Sequence, residues 1–471
     1  MKFPLLGKMA ALAAAGLVLA WALGLESSLV AEREGRLREA QRSVADSLAT
    51  SQALLGPVLQ RSCSEKWESY QGEGKDRKTI SEQRDFTLIL GPQQLQVDAA
   101  AQTEPRNRGI FIVNGFALKA NLVAEWSNLD RLQPRRQREG SRVSCAAPVV
   151  WVAASDTRGI RSARITLQDH DRTVLPGSSA AAMKHGFHVT WPEDVAFDAG
   201  PARATITLDL AGTESFAFAP IGDTTVFTLK SDWPHPSFNG RFLPASRVVT
   251  ATGFEANWRL SALASRAPQE LLEGLALCRP DSAPAAMAGG SAAQGCMEVF
   301  GVSFIDPVNP YVLSDRATKY GLLFVALTFV AVALVEVMRR LRVHPVQYLL
   351  VGSALVLFFL LLVSLSEHVP FGWAYLVASC ACTALLTFYG AHVLRSWRAG
   401  AAFGGGLGVL YAALYILLLR EQSALLLGAT LLFVVLAAVM VITRKVDWYT
   451  LIGQIRSESS RGSERNIASA Q

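Results

Sequence analysis

The sequence predicts an α-helical membrane protein of six spans, with a large, mainly β extracytoplasmic domain inserted between spans 1 and 2. Five apolar runs of about 20 residues follow one another near the C-terminus, and a sixth opens the chain. Lipid offers backbone amides no partners, so apolar runs of this length must be helices. A long middle stretch of short, β-branched and aromatic segments predicts the inserted domain.

Short polar breaks separate the predicted spans of the C-terminal bundle, which occupies residues 320–442. The spans are Gly321–Met338, Val346–Ser366, Phe371–Leu394, Ala401–Leu419 and Ser423–Ile442. Basic residues concentrate at every second break, which is the pattern of cytoplasmic loops. Residues 443–471 are therefore expected to form a cytoplasmic tail.

The N-terminal run, Met9–Leu25, follows Lys2 and Lys8. Two alternatives remain open, a cleaved secretory signal and an uncleaved anchor, and the length of the run favours an anchor over residues 1–25. Either way residues 26–319 are translocated, and an uncleaved N-terminus is cytoplasmic. Residues 27–50 are charged and helical in character, and Leu55–Val58 is expected to end that helix because it contains Pro57.

The inserted domain is predicted to be an antiparallel β-sandwich or curled sheet between Arg84 and Arg266. Its strand order does not follow from the sequence. The predicted strands are Phe86–Leu90, Ile110–Val113, Phe116–Trp126, Val149–Val152, Ala163–Leu167, Phe187–Trp191, Ala204–Leu210, Thr225–Lys230 and Phe254–Leu260. Residues 281–295 are rich in Ala, Gly and Ser, which indicates a flexible loop.

Four cysteines lie in the translocated insert, where disulfides can form, and four cysteines allow three connectivities. The short loop between Cys278 and Cys296 favours that bridge. Cys63 and Cys145 would then form the second pair. Cys380 and Cys382 lie within a span and are expected to pack there.

Chemical signatures are sparse. The sequence has no HExxH, G-x-S-x-G, GxxxxGK[ST] or CxxC motif. His185 and His188 lie near Asp169–Asp171, but an odd separation on a strand points two side chains to opposite faces. We therefore expect surface histidines, no metal site and no cofactor. Much of the +6 net charge lies in the cytoplasmic breaks, so a nucleic-acid partner is not expected.

Ionisable residues inside spans mark functional sites by default. Glu336 and His392 qualify, and Glu336 is expected to form an interfacial ion pair with Arg339 or Arg340. Gly404 and Gly408 are spaced to let two helices approach closely. An anchoring bundle is favoured, and a transporter or channel is the alternative.

Several segments resemble the CreD family of inner-membrane proteins. They are GVSFIDPVNPYVLSDRATKYGLL from Gly301, QYLLVGSALVLFFLLLVSLSEHVPFGWAYL from Gln347, TRKVDWYTL from Thr443, Leu29–Arg33, Gly56–Leu59 and Gly253–Trp258. The resemblance implies a bacterial inner-membrane protein linked to envelope integrity, stress response and colicin tolerance, with a periplasmic domain. It supplies no catalytic residues.

The predicted function is therefore a non-enzymatic envelope protein. Its partners are membrane lipid and an unidentified envelope component that the β domain binds. The junction before the second span has a candidate coupling role, because prolines make it stiff. Its residues are Pro307, Asn309, Pro310, Asp315 and Arg316, and Ser314 is expected to be the N-cap of the following helix.

Overall fold

The computed structural model describes residues 5–71, 78–178, 180, 183–192, 200–280, 295–304, 310–339, 343–420 and 424–444. The chain divides into two compact units. A helical unit comprises residues 1–36 and 308–471, and a β domain comprises residues 37–307. The predicted loop at 281–295 lies outside the described residues except for Gly295, as does the tail beyond Arg444.

The helical unit contains long apolar helices. In chain order they are α1 (Leu5–Ser47), α3 (Pro310–Arg339), α4 (Pro345–Ser366), α5 (Phe371–Val393), α6 (Trp397–Leu419) and α7 (Ala424–Thr443). The stretches Gly7–Ser47, Pro310–Glu336, Pro345–Ser366, Phe371–Val393 and Trp397–Leu419 are long and apolar enough to cross a membrane. The α7 helix is apolar over a shorter stretch, Leu426–Val441, so a sixth span remains a prediction.

Two predicted helix boundaries are wrong. Helix α1 continues to Ser47, so the charged segment after the first apolar run is helical as expected, but the helix ends well before Leu55–Val58, which lies in a strand that starts at Gln52. Helix α3 begins at Pro310 rather than at Asp315, directly after the expected N-cap Ser314. Proline lacks the amide hydrogen that a first helical position leaves unpaired, so Pro310 suits that position. Ser314 consequently lies inside the helix and is not its N-cap.

Aromatic side chains fill the centre of the helical unit. The ring of Phe358 lies 4.5 Å from that of Tyr411 and 5.5 Å from that of Tyr375. The Tyr375 hydroxyl donates to the Tyr411 carbonyl at 2.7 Å, which satisfies a buried polar group between α5 and α6.

Glycines allow α5 and α6 to approach closely, but the pair differs from the expected one. A Cβ on Gly404 would lie 1.8 Å from Thr387 Oγ1, and one on Gly400 would lie 2.6 Å from Ala391. A Cβ on Gly408 would meet nothing within 4 Å. The close-packed pair is therefore Gly400 and Gly404, and the expected role of Gly408 is wrong.

The β domain consists of two sheets and a short helix, α2 (Ala267–Glu273). Its strands are β1 (Gln52–Gln71), β2 (Lys78–Leu90), β3 (Gln94–Arg108), β4 (Phe111–Trp126), β5 (Arg142–Cys145), β6 (Val149–Ala154), β7 (Ile160–Leu167), β8 (His170–Arg172), β9 (Leu175–Pro176), β10 (Gly186–Thr190), β11 (Ala202–Thr213), β12 (Ser215–Phe218), β13 (Thr224–Ser231), β14 (Ser237–Gly240), β15 (Ser246–Thr250), β16 (Gly253–Ser261) and β17 (Phe300–Ser303).

The nine-stranded sheet has the order β14-β17-β12-β1-β6-β10-β9, with β2 and β5 also paired to β1. The eight-stranded sheet has the order β15-β16-β13-β3-β4-β11-β7-β8. Most neighbours are antiparallel, as predicted. Two pairs are parallel, β1 with β12 and β13 with β3, which the sequence did not indicate.

The main hydrophobic core draws its buried side chains from both sheets. Strand β3 alternates regularly between exposed and buried residues, with Leu95, Val97, Ala99 and Ala101 facing the core. Trp126, Trp151 and Trp258 are almost fully buried in the same cluster. Because side chains alternate across a strand, the other face of the eight-stranded sheet carries polar residues and is accessible to solvent.

Candidate functional site

A shallow trough lies on the outer face of the eight-stranded sheet and has a volume of about 470 Å³. Five neighbouring strands, β13, β3, β4, β11 and β7, form its floor. Its lining residues are Asp98, Ala99, Ala100, Lys119, Ala120, Asn121, Ser162, Thr207, Leu208, Asp209, Thr228 and Lys230. We call this site the trough.

The register of the strands places one row of side chains across the trough. Lys230 pairs with Ala100, Ala100 with Lys119, Lys119 with Asp209, and Asp209 with Ser162. Paired residues point to the same face of a sheet, and neighbouring strands lie about 4.8 Å apart. The single methyl group of Ala100 therefore leaves open space between two lysines.

A second row runs beside the first, because residues two apart on a strand share a face. Thr228 pairs with Asp98, Asp98 with Asn121, and Asn121 with Thr207. This row adds a carboxylate, an amide and two hydroxyl groups. Together the two rows form a continuous surface that carries positive and negative charges as well as neutral hydrogen-bonding groups.

Some polar groups near the trough already have partners. Lys230 Nζ lies 3.3 Å from Glu255 Oε2, Asp98 Oδ2 accepts from Gln96 Nε2 at 3.0 Å, and the Thr228 hydroxyl donates to Asn257 Oδ1 at 2.7 Å. These contacts order the side chains at one side of the site.

Lys119 and Asp209 lack such contacts in the part of the chain that the structure describes. In the part of the chain that the structure describes, the exposed ammonium group of Lys119 has no ion pair or hydrogen bond. Asp209 Oδ1 is buried and also has no hydrogen-bond partner there. An unpaired buried acceptor costs free energy, and each such group in a native structure calls for an explanation. A ligand that supplies the missing donor is one such explanation.

An ion-pair network lies on the same sheet, outside the lining residues of the trough. Arg161 donates to both oxygens of Glu104, at 3.2 and 2.9 Å, and Arg106 donates to Glu104 at 2.8 Å. The hydrogen bond from Arg161 is the main reason that the pKa of the Glu104 carboxyl lies below its usual value. The pKa of Arg161 is raised, first by this bond and also by the nearby charge of Asp209.

Two other carboxylates of the β domain receive several hydrogen bonds from the surrounding chain. Glu65 accepts from Ser141 Oγ at 2.6 Å and from the backbone amides of Gln137 and Arg138, and Arg84 lies 3.1 Å from its other oxygen. The hydrogen bond from Ser141 is the largest reason that the pKa of Glu65 is lowered. Glu65 therefore holds the segment before β5 in place.

Asp156 is similar. Its burial opposes ionisation, but hydrogen bonds from the Arg158 guanidinium and from Thr50 outweigh that effect and hold its pKa below the usual range. The Thr50 amide and hydroxyl each lie 3.1 Å from Asp156 Oδ2. Asp156 thereby fixes the start of β1 and has a structural role.

The cysteines of the β domain form two bridges, Cys63–Cys145 and Cys278–Cys296. The first joins β1 to β5 at directly paired positions, two residues from Glu65. Neither bridge contributes a residue to the trough.

Of the candidate junction, Pro307 and Asn309 lie outside the described residues. Pro310 starts α3, and Asp315 pairs with Lys319 at 2.6 Å within the helix. Arg316 also has a partner. The coupling role of this junction remains a prediction.

His188 and His392 each contact a backbone carbonyl within their own unit. His188 Nδ1 lies 2.6 Å from the Gly177 carbonyl, and His392 Nδ1 lies 2.9 Å from the Phe388 carbonyl. Among the described residues, no group of three or more His, Cys, Asp or Glu could hold a metal ion.

Glu336 has an ion-pair partner that the sequence did not indicate, and its pairing with Arg339 or Arg340 stays a prediction. Glu336 forms its ion pair with Lys8 of α1, accepts from the Tyr348 hydroxyl at 2.8 Å and accepts from the Val343 amide at 3.2 Å. The side chain of Arg339 and the whole of Arg340 lie outside the described residues. Spacing along α3 suggested a local partner, whereas packing supplied one from the other end of the chain.

Sequence reasoning missed both the trough and Glu26. The sequence does indicate one strand of the trough. Polar and apolar residues alternate in residues 94–98, QLQVD, as on a half-exposed strand. Glu26 directly follows the first apolar run, Met9–Leu25, and has no partner at a spacing that the sequence shows. In the structure it is only 7% exposed, and its Oε2 has no hydrogen-bond partner among the described residues.

Comparison with known proteins identifies the family. The family model described as "Inner membrane protein CreD" matches residues 4–449. The "Inner membrane protein CreD" of Escherichia coli (strain K12) is 32% identical over 450 residues, covering 95% of each chain. Among solved structures, the InvG secretin domain β-barrel from the Salmonella SPI-1 injectisome aligns over 36% of this chain and 64% of its own. Its TM-score of 0.06 and identity of 7% carry no inference about the fold. The chain belongs to the CreD family of inner-membrane proteins.

Proposed function

We propose that this protein is a non-enzymatic component of envelope integrity and that its β domain binds a charged envelope polymer through the trough. In this proposal the chain crosses the inner membrane six times, both ends are cytoplasmic and the β domain is periplasmic. Membership of the CreD family supports the envelope role. The orientation rests on the basic residues at alternate breaks and on the opening lysines.

The observation that carries the binding proposal is the unpaired Lys119 beside the partly buried Asp209. A lysine without a partner suits a carboxylate of the ligand, and the half-buried Asp209 suits an ammonium, amide or hydroxyl group at the part of its side chain that is accessible. Asn121, Thr207 and Ser162 add neutral hydrogen-bonding groups. A ligand that carries both charges within a short distance fits this pattern.

The lining also limits the ligand class. Sugar rings and apolar chains are commonly held on aromatic or aliphatic platforms, and the lining of the trough contains no aromatic residue. The trough therefore favours a peptide that carries amine and carboxylate groups over a bare glycan or an acyl chain. The peptide side branches of the cell wall are envelope components with this chemistry.

The proposal can be tested by cosedimentation of the full-length protein, in lipid nanodiscs, with isolated cell-wall sacculi. The variant Lys119→Glu reverses the charge of the unpaired lysine. We expect its binding to fall on the order of tenfold or more, because an attraction is replaced by a repulsion. Lys66→Glu is the matched control, since Lys66 is also exposed but lies on β1 of the other sheet.

Equal binding of Lys119→Glu and the wild-type protein would exclude the trough as the binding surface. Loss of binding in both variants would indicate general electrostatic attraction and would also contradict the proposal. Repeating the assay with sacculi whose peptides have been removed by an amidase separates peptide from glycan recognition, and we expect binding to be lost.

A transporter or channel is the second candidate, and Glu26 is the observation that favours it. A buried carboxyl with an unpaired oxygen on a membrane-spanning helix is a candidate for carrying a proton or cation. The cavity lined by α3, α4, α5 and α6 argues for an anchor. It has a volume of about 30 Å³, lies mostly among apolar side chains such as Val335 and Leu386, and could hold about one water molecule.

Flux assays in proteoliposomes decide between the candidates. We expect no proton or cation flux from the wild-type protein. A flux that the wild-type protein supports and Glu26→Gln abolishes would establish the transporter.

A further inference from the structure

The hairpin formed by β3 and β4 extends beyond the rest of its sheet. Strand β13 last pairs with β3 at Ala101, and β11 last pairs with β4 at Gly115. Residues 105–108 and 111–114 pair only with each other among the strands that the structure describes. We call residues 105–113 the arm. One face of the arm is covered by the protein, since Val113 is buried, and the other face carries the exposed Ile112.

The arm projects past the edge at which the chain enters and leaves the β domain. At this edge the Thr213 amide bonds to the Thr50 carbonyl, just after α1 ends, and the Phe304 amide bonds to the Glu214 carbonyl. Asn114, at the base of the arm, donates to the Phe304 carbonyl at 3.1 Å. The chain continues from both of these points towards apolar helices long enough to cross a membrane.

The tip of the arm is apolar and basic. Ile110 is 49% exposed and Ile112 is 64% exposed, whereas Val113 on the opposite face is buried. Arg108 is exposed beside them, and the turn passes through Gly109 with a φ of +62°. Exposed β-branched residues at a strand end are a liability in water unless they have a partner.

We propose that the tip of the arm is seated in the headgroup region of the lipid bilayer. Ile110 and Ile112 bury their apolar surface at the boundary of the acyl chains, and Arg108 pairs with lipid phosphate. Apolar groups of interfacial segments sit about 5–10 Å into this boundary, and basic residues are attracted to an anionic surface. The arm is then a second attachment of the β domain to the membrane, independent of the trough.

The proposal is tested on the full-length protein in nanodiscs with one fluorescent label on a cysteine. The background carries Cys380→Ser and Cys382→Ser, because the other cysteines are in disulfides. Ile112→Cys reports on the arm, and Val248→Cys is the control. Val248 is equally exposed at 64% and lies on β15, the strand at one edge of the same sheet.

We expect lipids that carry a nitroxide quencher to reduce the fluorescence at position 112 on the order of twofold, since the label sits within the interface. The label at position 248 should be unaffected. Adding Arg108→Gln should weaken the quenching at position 112 in anionic discs more than in zwitterionic discs.

Equal lipid quenching at both positions would overturn the proposal. So would a label at position 112 that is shielded from aqueous iodide but not quenched by lipid, because a protein surface would then cover it. If the quenching at position 112 changes neither with the lipid charge nor with Arg108→Gln, the proposed role of the arginine is wrong. Ile110→Cys, at the turn itself, provides a second label if the first variant does not assemble.

Discussion

Glu65 and Asp209 are carboxylates on the two sheets of one domain, and they differ in the number of hydrogen bonds that they receive. Glu65 is buried and receives a side-chain hydroxyl, two backbone amides and an arginine. Asp209 lies in the trough with one buried oxygen that has no donor in the described structure, and Lys119 beside it lacks an anion. The three hydrogen bonds to Glu65 Oε1 hold neighbouring segments together, although Glu65 Oε2 has only the ion pair with Arg84 and no hydrogen bond in the described structure. We propose that Asp209 and Lys119, which have fewer contacts, are instead available to a ligand.

The energetic basis of this difference is desolvation. A buried charge or polar atom loses its hydration, and hydrogen bonds within the protein must compensate for that loss. The protein makes the compensation internally at Glu65 and Asp156. At the trough the compensation is incomplete, so a bound group can supply it.

The largest effect is expected from removing the carboxylate at Glu65. In Glu65→Ala the backbone amides of Gln137 and Arg138 and the buried Ser141 hydroxyl lose their acceptor. The segment before β5 should loosen, and trypsin should cut at Arg135 or Arg136 on the order of tenfold faster. Glu68→Ala is the control, since Glu68 is exposed on the same strand. Equal cleavage of both variants would contradict the structural role of Glu65.

A fall in pH should produce a smaller loosening of the same segment. The pKa of Glu65 is lower in the folded protein, so the folded state binds fewer protons than the unfolded state between the two pKa values. Its contribution is fully present above the unfolded value of about 4.3 and is lost as pH falls through the folded value. Hydrogen exchange of residues 133–141, corrected for the intrinsic rate, should accelerate below about pH 4. Glu65→Gln should remove this pH dependence.

Asp209→Asn should have the smallest effect on stability. Asp209 Oδ1 has no internal hydrogen bond to lose, so the free energy of unfolding of the β domain should change by less than about 0.5 kcal/mol. Pulse proteolysis of the full-length protein in urea measures this change. A large destabilisation would show that Asp209 stabilises the fold as Glu65 does, and it would contradict the proposed difference between the two carboxylates.

The sequence allowed the general organisation to be predicted because membrane helices and strands have strong local signals. Apolar length identified the helical stretches, and alternation identified strands such as Phe116–Trp126. Strand β3 was not predicted because it contains Ala99, Ala100 and Ala101, and alanine is uncommon in strands. Pro57 was interpreted as a helix end, although it lies within β1.

The trough was beyond sequence reasoning because it depends on register. Asp98, Lys119 and Asp209 are far apart in the chain and converge only when three strands pair. The ion pair of Glu336 with Lys8 is missed for the same reason, since its partners come from the two ends of the helical unit. Spacing predicts contacts within an element, whereas contacts between elements require the topology.

The most direct test of the central claim is photo-crosslinking in intact cells from the middle of the trough. A photoreactive amino acid replaces Asn121, whose side chain shares the outer face with Lys119, and a control replaces Arg259 of β16, exposed outside the trough. We predict an adduct at position 121 that contains cell-wall peptide and disappears in the Lys119→Glu background, with none at position 259. The same adduct at both positions, or only protein adducts at position 121, would contradict the account.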